Sequence, residues 1–301
     1  MSERHVLVTG GSGQVGRELA RYTWPEGWAA TVLTRAELDL ADATSITATV
    51  AQGRAGRPWA VVINAAAYTA VDKAESDQVT AWAMNALAPA ALAQACRAAD
   101  IPLVQVSTDY VFDGAKRAAW EEDDPVAPLG VYGASKLGGE LAVRSSGARH
   151  AIVRTAWVVS AHGANFVKTM LRVGAERPSL RVVDDQHGSP TAAADLAAAL
   201  ATVAMRIADD AHAPTGVFHF ANAGPTTWYG FARAIFEGAV ARGRPRPEVE
   251  AITTADYPTP ARRPANSLLE TARIEQAYGI RPRPWAQALD PILDELIGPK
   301  A

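Results

Sequence analysis

Val6-Leu7-Val8-Thr9-Gly10-Gly11-Ser12-Gly13-Gln14-Val15-Gly16 is the stretch on which the fold turns. A short apolar run ends in a glycine-rich turn, and a helical pattern over residues 14–22 opens directly on it. The turn satisfies G-x-x-G-x-x-G through Gly10, Gly13 and Gly16, and G-x-G-x-x-G through Gly11, Gly13 and Gly16. Glycine serves three purposes in such a unit: a tight turn, close approach of backbone to a pyrophosphate, and close packing of helix on strand. The helix start then offers free N–H groups and a positive dipole end to phosphate. A bare glycine pattern can be no more than a turn. Here the strand–turn–helix context predicts a nucleotide-phosphate site made by Gly10, Gly13, Gln14, Val15 and Gly16.

Outward from that unit, short apolar runs alternate with helical stretches. Runs at 31–33, 61–63, 103–106, 151–153 and 180–183 read as strands, and residues 76–99 form a long helical segment. The β-α-β alternation predicts an α/β chain with a Rossmann-like, doubly wound parallel sheet and helices on both faces. The strands read as near-continuous apolar runs, as strands buried on both faces should. After about residue 160 the rhythm changes. Helices at 191–208 and 227–242 dominate, and Tyr257-Pro258-Thr259-Pro260-Ala261-Arg262-Arg263-Pro264 is too proline-rich for a helix or a central strand. The expected division is a mainly dinucleotide-binding part, 1–160, and a smaller, mainly substrate-binding C-terminal lobe, 161–301. Some elements of the lobe are expected to return to the first part.

Composition narrows the class. A net charge of -3 gives no broad attraction to nucleic acid or to an anionic membrane, so any anion site must be built locally. No apolar run is long enough to span a bilayer. The start, Met1-Ser2-Glu3-Arg4-His5, runs straight into the first strand and reads as lacking a signal peptide. Cys96 is the one cysteine, which excludes an internal disulfide and suits a reducing compartment. It sits in an alanine-rich helical stretch and reads as a buried structural thiol. A cytoplasmic location is expected.

The residues that carry chemistry lie at strand ends. After the second strand come Thr34 and Arg35, where an acid would bind the ribose hydroxyls of NAD. Arg35 instead suits a 2′-phosphate, which favours NADPH. A solvated surface arginine is the plainer reading. Asp39, next to Leu40, is placed to meet the adenine edge or to begin a helix. Further on, Tyr132 and Lys136 are four residues apart and share one helix face. A tyrosine with pKa ~10 is a poor proton shuttle at neutral pH. A nearby ammonium favours the phenolate, so Lys136 can tune Tyr132 for general acid–base work and hold a ribose. Thr108 stands at the end of a predicted core strand, where open α/β sheets bind ligands. A glycine turn, a strand-end threonine and a following Tyr-x-x-x-Lys are together far more specific than any one of them.

At this point the chain resembles the extended short-chain dehydrogenase/reductase family, and within it the reductases of dTDP-linked 4-keto sugars. The resemblance covers nearly the whole chain. It rests on Gly13-Gln14-Val15-Gly16, Asn64-Ala65-Ala66-Ala67-Tyr68-Thr69-Ala70-Val71-Asp72-Lys73-Ala74-Glu75 and Ser107-Thr108-Asp109-Tyr110-Val111-Phe112-Asp113-Gly114. Val131-Tyr132-Gly133 with Lys136, Arg154-Thr155-Ala156-Trp157-Val158, Asn165-Phe166-Val167-Lys168-Thr169-Met170 and the 257–263 loop with Asn266-Ser267 complete it.

The resemblance implies NADPH reduction of the C4 ketone of dTDP-4-dehydro-L-rhamnose, with Tyr132 as proton donor. It implies that Lys136 binds the cofactor ribose and that Thr108 tunes the hydrogen bonding. Thr34, Arg35, Asp39, Leu40, Ala67, Tyr68 and Thr69 would line the cofactor. Asp109 and Trp157 would contact the sugar, an indole being a suitable platform for apolar C–H faces. Asn165 and one of Arg262 or Arg263, taken as Arg263, would meet the pyrophosphate. NADH use stays open, because Thr34 stands where some relatives carry an acid. Magnesium stays open too: Glu18 matches a position that binds it in some relatives, but Ala194 stands where a partner acid is expected. A homodimer is a further expectation.

Other readings compete. A sugar-nucleotide dehydratase needs an acid at position 110, and Tyr110 removes it. Another nucleotide-sugar reductase or an epimerase fits the same motifs. So does a cofactor-binding regulatory subunit similar to the methionine adenosyltransferase β subunit, since fold and motif do not prove turnover.

Overall fold

The computed structural model describes residues 3–300, so the reading of Met1 and Ser2 lies outside the described residues. β1 (Arg4–Thr9) leads through the glycine turn into α1 (Gln14–Arg21), and β2 (Trp28–Leu33) precedes α2 (Ala43–Gln52). After β3 (Val61–Asn64) come α3 (Val71–Ala74), α4 (Gln78–Trp82), a π turn (Ala83–Leu87) and α5 (Ala88–Ala98). β4 (Leu103–Thr108) runs into a 3-10 turn (Asp109–Val111), followed by α6 (Val131–Ser145) and β5 (His150–Thr155). The second half contains β6 (Val158–Val159), α7 (Phe166–Glu176), β7 (Ser179–Val183), β8 (His187–Gly188), β9 (Thr191–Ala192) and α8 (Ala193–Asp209). It ends with β10 (Gly216–His219), β11 (Thr226–Thr227), α9 (Trp228–Val240), β12 (Glu248–Ile252), α10 (Ala272–Tyr278) and α11 (Trp285–Ile297).

Six strands form one parallel sheet in the order β10-β5-β4-β3-β1-β2. Central strands are buried along their length, whereas the edge strand β2 is half-buried throughout. One face of the sheet packs on α1 and α8, through Leu19, Leu196, Leu200, Val203 and Ile207. The other face packs on α2, α5 and α6, through Ile46, Val50, Leu92, Cys96 and Val143. This is the doubly wound architecture that the sequence pattern predicts. No described helix is long and apolar enough to cross a membrane.

Two placements differ from the expectation. The 180–183 run does not continue the main sheet: β7 pairs only with β12, in a separate parallel pair. Its alternating burial, with Ser179 and Arg181 exposed, shows the reason, since only one face of it meets an apolar core. Its place at the sheet edge is taken by β10, which pairs with β5 from Gly216 opposite Ala151 to His219 opposite Arg154. A further core of Val167, Phe231, Ile235, Phe236 and Leu293 holds α7, α9 and α11 together beside the β7–β12 pair.

Strand order reverses between β1, whose chain continues to β2 on one side, and β3 on the other. In open α/β sheets the crevice outside the strand ends at such a switch point receives ligands. The glycine turn and the segment after Asn64 meet there, and a polar chain runs beneath them. Thr9 donates to Asn64 (2.6 Å), Asn64 to Gln105 (2.8 Å) and Gln105 to the Val106 carbonyl (2.8 Å). All three side chains are buried, so these bonds fix the ends of β1, β3 and β4 relative to one another.

Candidate active site

Gly10 has φ +81°, and a Cβ there would lie 2.7 Å from the Ala66 nitrogen. Only glycine permits both the left-handed backbone and that contact. Gly13 precedes α1 and gives it no side-chain cap, leaving the first N–H groups of the helix without a side-chain acceptor. A Cβ on Gly13 would meet a single protein atom, the Gly10 carbonyl oxygen at 3.3 Å. An uncapped helix start behind so small a residue fits a pyrophosphate. Gln14, by contrast, faces the protein. It donates to the Val158 carbonyl (3.3 Å) and accepts from Ser160 (2.9 Å) and Asn165 (3.0 Å).

Beyond β2, Arg35 projects with its side chain 73% exposed, 3.8 Å from Asp39. Its guanidinium is free to turn toward a phosphate. Asp39 accepts the Ala41 N–H (3.0 Å), and Leu40 is buried in the core beside α2 and α5. Leu40 therefore packs the loop rather than offering its side chain to a ligand. An acid does stand close by. Glu37 accepts both the N–H and the hydroxyl of Thr34, each at 2.8 Å.

Ala67, Tyr68 and Thr69 leave the end of β3 and are held from below by Asn85. That side chain accepts the Tyr68 N–H (2.8 Å) and donates to the Tyr68 carbonyl (3.0 Å) and to Ser135 (3.0 Å). Ser135 in turn donates to the Tyr132 carbonyl (2.8 Å). Asn85 lies in the π turn, a distortion that re-aims side chains and recurs at functional sites. It thus joins the loop after β3 to α6. Glu75 makes a second joint by accepting the Val131 N–H (2.9 Å), which caps α6 one residue before Tyr132.

Thr108, Tyr132 and Lys136 converge at the carboxyl end of β4. Burial pushes the Tyr132 phenol up to about 12, and a hydrogen bond with Thr108 works against that rise. The phenol is therefore protonated at neutral pH, the state a proton donor needs. Tyr110 meets its ring edge-on, with centroids 5.4 Å apart. Lys136 is buried and donates to the Val106 carbonyl (2.7 Å). Burial pulls its ammonium down to about 8, and Glu140 resists. Asp109 is buried as well; burial raises it to about 6 despite bonds to Ser267 and Thr108. One of its oxygens, Oδ2, has no hydrogen-bond partner within the protein.

Trp157 follows β5 with φ +48°, a left-handed conformation costly for a bulky residue. Its indole stacks on Trp228 at 3.6 Å between centroids and 13° between planes, and it lies against Gly188, where a side chain would collide with it. Held on both sides, the half-buried Trp157 also packs against the cluster of Val111, Phe112, Trp120, Ala156 and Leu269.

The remaining expected ligands are engaged with protein. Asn165 caps α7 through the Lys168 N–H and donates to Gln14 and to the Ser160 and His162 carbonyls. Arg263 pairs with Asp72, while Arg262 is exposed. Glu18 faces His162 at 3.4 Å, and Arg21 pairs with Glu295 at 2.8 Å. Asp195 is taken by Arg283 (2.8 Å) and Asn222 (2.7 Å). Among the described residues, no group of three or more His, Cys, Asp or Glu side chains is placed to hold a metal ion. Burial pushes the Cys96 thiol up to about 12, consistent with a structural role.

The chain as a whole is similar to known proteins. The RmlD substrate binding domain family matches residues 4–297. The chain belongs to this family. It is 42% identical, over 94% of its length and 96% of the relative's, to dTDP-4-dehydrorhamnose reductase of Aggregatibacter actinomycetemcomitans. The crystal structure of a dTDP-4-dehydrorhamnose reductase from Clostridium acetobutylicum superposes with a TM-score of 0.89, at 35% identity over 97% of this chain and 99% of that one. That of Bacillus anthracis, in complex with NADP, superposes with a TM-score of 0.88, at 32% identity over 97% and 99%.

Within the RmlD-family chain, four residues that brace the candidate site escape a reading by motif. Asn85 sits in an ordinary helical stretch, and only the π turn reveals its task. Trp228 is 71 residues beyond Trp157, with no local signal linking the two rings. Glu75 and Asp72 belong to a run that marks the family resemblance, but their partners, Val131 and Arg263, are visible only in the fold.

Proposed function

We propose that the chain reduces the C4 ketone of dTDP-4-dehydro-L-rhamnose to dTDP-L-rhamnose, with NADPH as the reductant. The observation that carries this reading is the convergence of a protonated Tyr132, Thr108 and a buried Lys136 beside the dinucleotide crevice of an RmlD-family fold. When bound, NADPH supplies the hydride. Tyr132 gives its proton to the oxygen of the reduced carbon, and Thr108 steadies the phenolic oxygen before and after that transfer. Lys136, charged at neutral pH, holds the ribose and stabilises the phenolate left on Tyr132. The exposed part of the half-buried Trp157 meets the sugar ring, and Asp109 offers its unpartnered oxygen to a sugar hydroxyl.

The glycine turn would hold the phosphates of the cofactor, and Arg35 its 2′-phosphate. Work in the cytoplasm, and assembly as a homodimer, accompany the proposal. The test is NADPH oxidation by the pure protein with enzymatically generated dTDP-4-dehydro-L-rhamnose, with an authentic reductase as positive control. Turnover supports the reading. No turnover beside an active control overturns it and favours the regulatory-subunit alternative.

A further inference from the structure

Lys136 and Glu140 are four residues apart on α6, the spacing at which lysine and glutamate side chains meet on one helix face. Both are buried, at 4% and 1% exposure. An ammonium and a carboxylate so placed, away from water, should close on each other. They do not. Both oxygens of Glu140 accept from Arg154 on β5, at 2.9 and 2.7 Å, in a two-pronged fork. The Lys136 ammonium instead reaches the opposite way, to the Val106 carbonyl on β4.

We propose that Arg154 is a positioning residue: by occupying both oxygens of Glu140, it keeps that carboxylate off Lys136 and leaves the ammonium on the Val106 carbonyl, at the end of β4 where Thr108 and Tyr132 meet. The bidentate guanidinium wins this competition because its planar fork matches the carboxylate, while lysine offers a point charge. Arg154 is itself fixed. It is 2% exposed, contacts the Glu122 carbonyl and the His219 ring, and lies 5.0 Å from the Phe112 ring centroid. The charged and titratable groups around Lys136 are thus Tyr132 and Glu140, one turn either way on its own helix, and Arg154 from β5. His219 lies behind Arg154, and burial holds it neutral. Of these, Glu140 alone is an acid within one helical turn on the lysine's own face.

The inference rests on the proposed reductase reading, so its test includes a measurement that needs no turnover. NADPH affinity is measured by fluorescence without sugar, beside kcat/KM with the dTDP-keto sugar, for wild type, R154M and E140Q/R154M. In R154M the freed Glu140 draws Lys136 away. NADPH binding and kcat/KM should each fall, the latter by on the order of 100-fold, the scale of a misplaced active-site group. The alkaline limb of both profiles should move to higher pH, because an ion-paired lysine holds its proton longer. In E140Q/R154M no carboxylate competes, and both quantities should recover most of the loss. Replacing a buried ion pair by uncharged groups is often tolerated, so the double variant is expected to fold.

If R154M does not fold, R154K replaces it, with a smaller loss again reversed by E140Q. A double variant no better than the single one in NADPH binding overturns the inference, as does an unmoved alkaline limb. A wild type that binds NADPH but reduces no keto sugar overturns the reductase reading instead, and leaves the binding comparison standing.

Discussion

Asp72 and Arg263 stand 191 residues apart and close a two-pronged ion pair, at 3.0 and 2.7 Å. The pair ties α3, just beyond the cofactor-side loop after β3, to the proline-rich loop of the C-terminal lobe. Asp72 also accepts the Ala261 N–H (3.2 Å), and hydrogen bonding to Arg263 holds its carboxyl below the usual range. The Asp72 side chain is 42% exposed, so solvent screens the pair and its stability contribution is small.

Asp72→Asn should therefore leave Tm within ~2 °C of wild type, while loosening the loop raises KM for the nucleotide sugar more than KM for NADPH. Steady-state kinetics with each substrate varied in turn decide the matter. A larger effect on NADPH would assign the pair to the cofactor side.

Lys136 sets a pH limit. Its ammonium is pulled down to about 8, while the Tyr132 phenol, at about 12, stays loaded well above that. The kcat/KM profile should decline as pH rises through about 8 rather than about 12. Stability moves the other way. A lysine whose folded pKa lies below its unfolded value binds more protons unfolded, so this group favours the folded state increasingly between about 8 and 10.5. Denaturant titrations of wild type and Lys136→Met across that window check the sign. Tyr132→Phe should lower kcat by ~100-fold or more with an unchanged Tm, and wild-type turnover in that variant would remove the proton-donor assignment.

Asp109 carries the opposite kind of strain. Burial raises its pKa to about 6 from 3.8, so the unfolded chain gives up this proton first and stability falls as pH rises through that interval. Asp109→Asn should raise Tm at pH 7.5 by a few degrees, about what relief of ~1 kcal/mol yields. At pH 4 the gain should vanish. The same change should weaken sugar-nucleotide binding. A variant stabilised equally at both pH values would show that charge is not the cause.

Trp228 supports Trp157 from behind. Trp228→Ala should lower kcat/KM for the sugar by ~10-fold while NADPH affinity, read by fluorescence, stays at the wild-type value. Equal losses in both would mean that the second ring holds the whole crevice rather than Trp157.

Arg35 tests cofactor choice. Arg35→Ala should reduce kcat/KM for NADPH by ~10-fold or more and barely alter that for NADH. Equal losses would refute a role at the 2′-phosphate, and Glu37→Gln would then be the variant to compare, since its carboxylate holds Thr34.

The sheet was legible in the sequence because buried parallel strands leave apolar runs, and the phosphate turn because its glycines answer local backbone demands. β7 misled, since five residues of strand pattern say nothing about which sheet they join. β10 went unread: Gly216-Val217-Phe218-His219 is too short to stand out before it pairs with β5. In the site, Thr108, Tyr132 and Lys136 follow from spacing on one strand end and one helix. The protein partners of Asn165 and Arg263 are disclosed by no local pattern, because Gln14 and Asp72 are brought to them only by the fold.

That late sixth strand has a consequence for how the protein is made. A ribosome releases β1 to β5 in order, but β5 keeps an open edge until residues 216–219 emerge, and one face of the sheet is covered by α1 alone until α8 arrives. A nascent chain of about 160 residues thus displays unpaired backbone and an apolar surface together, the combination that invites strand-to-strand aggregation. Expression of residues 1–160 alone should accordingly yield insoluble material, and coexpressed residues 161–301 would have to supply both missing pieces to recover it.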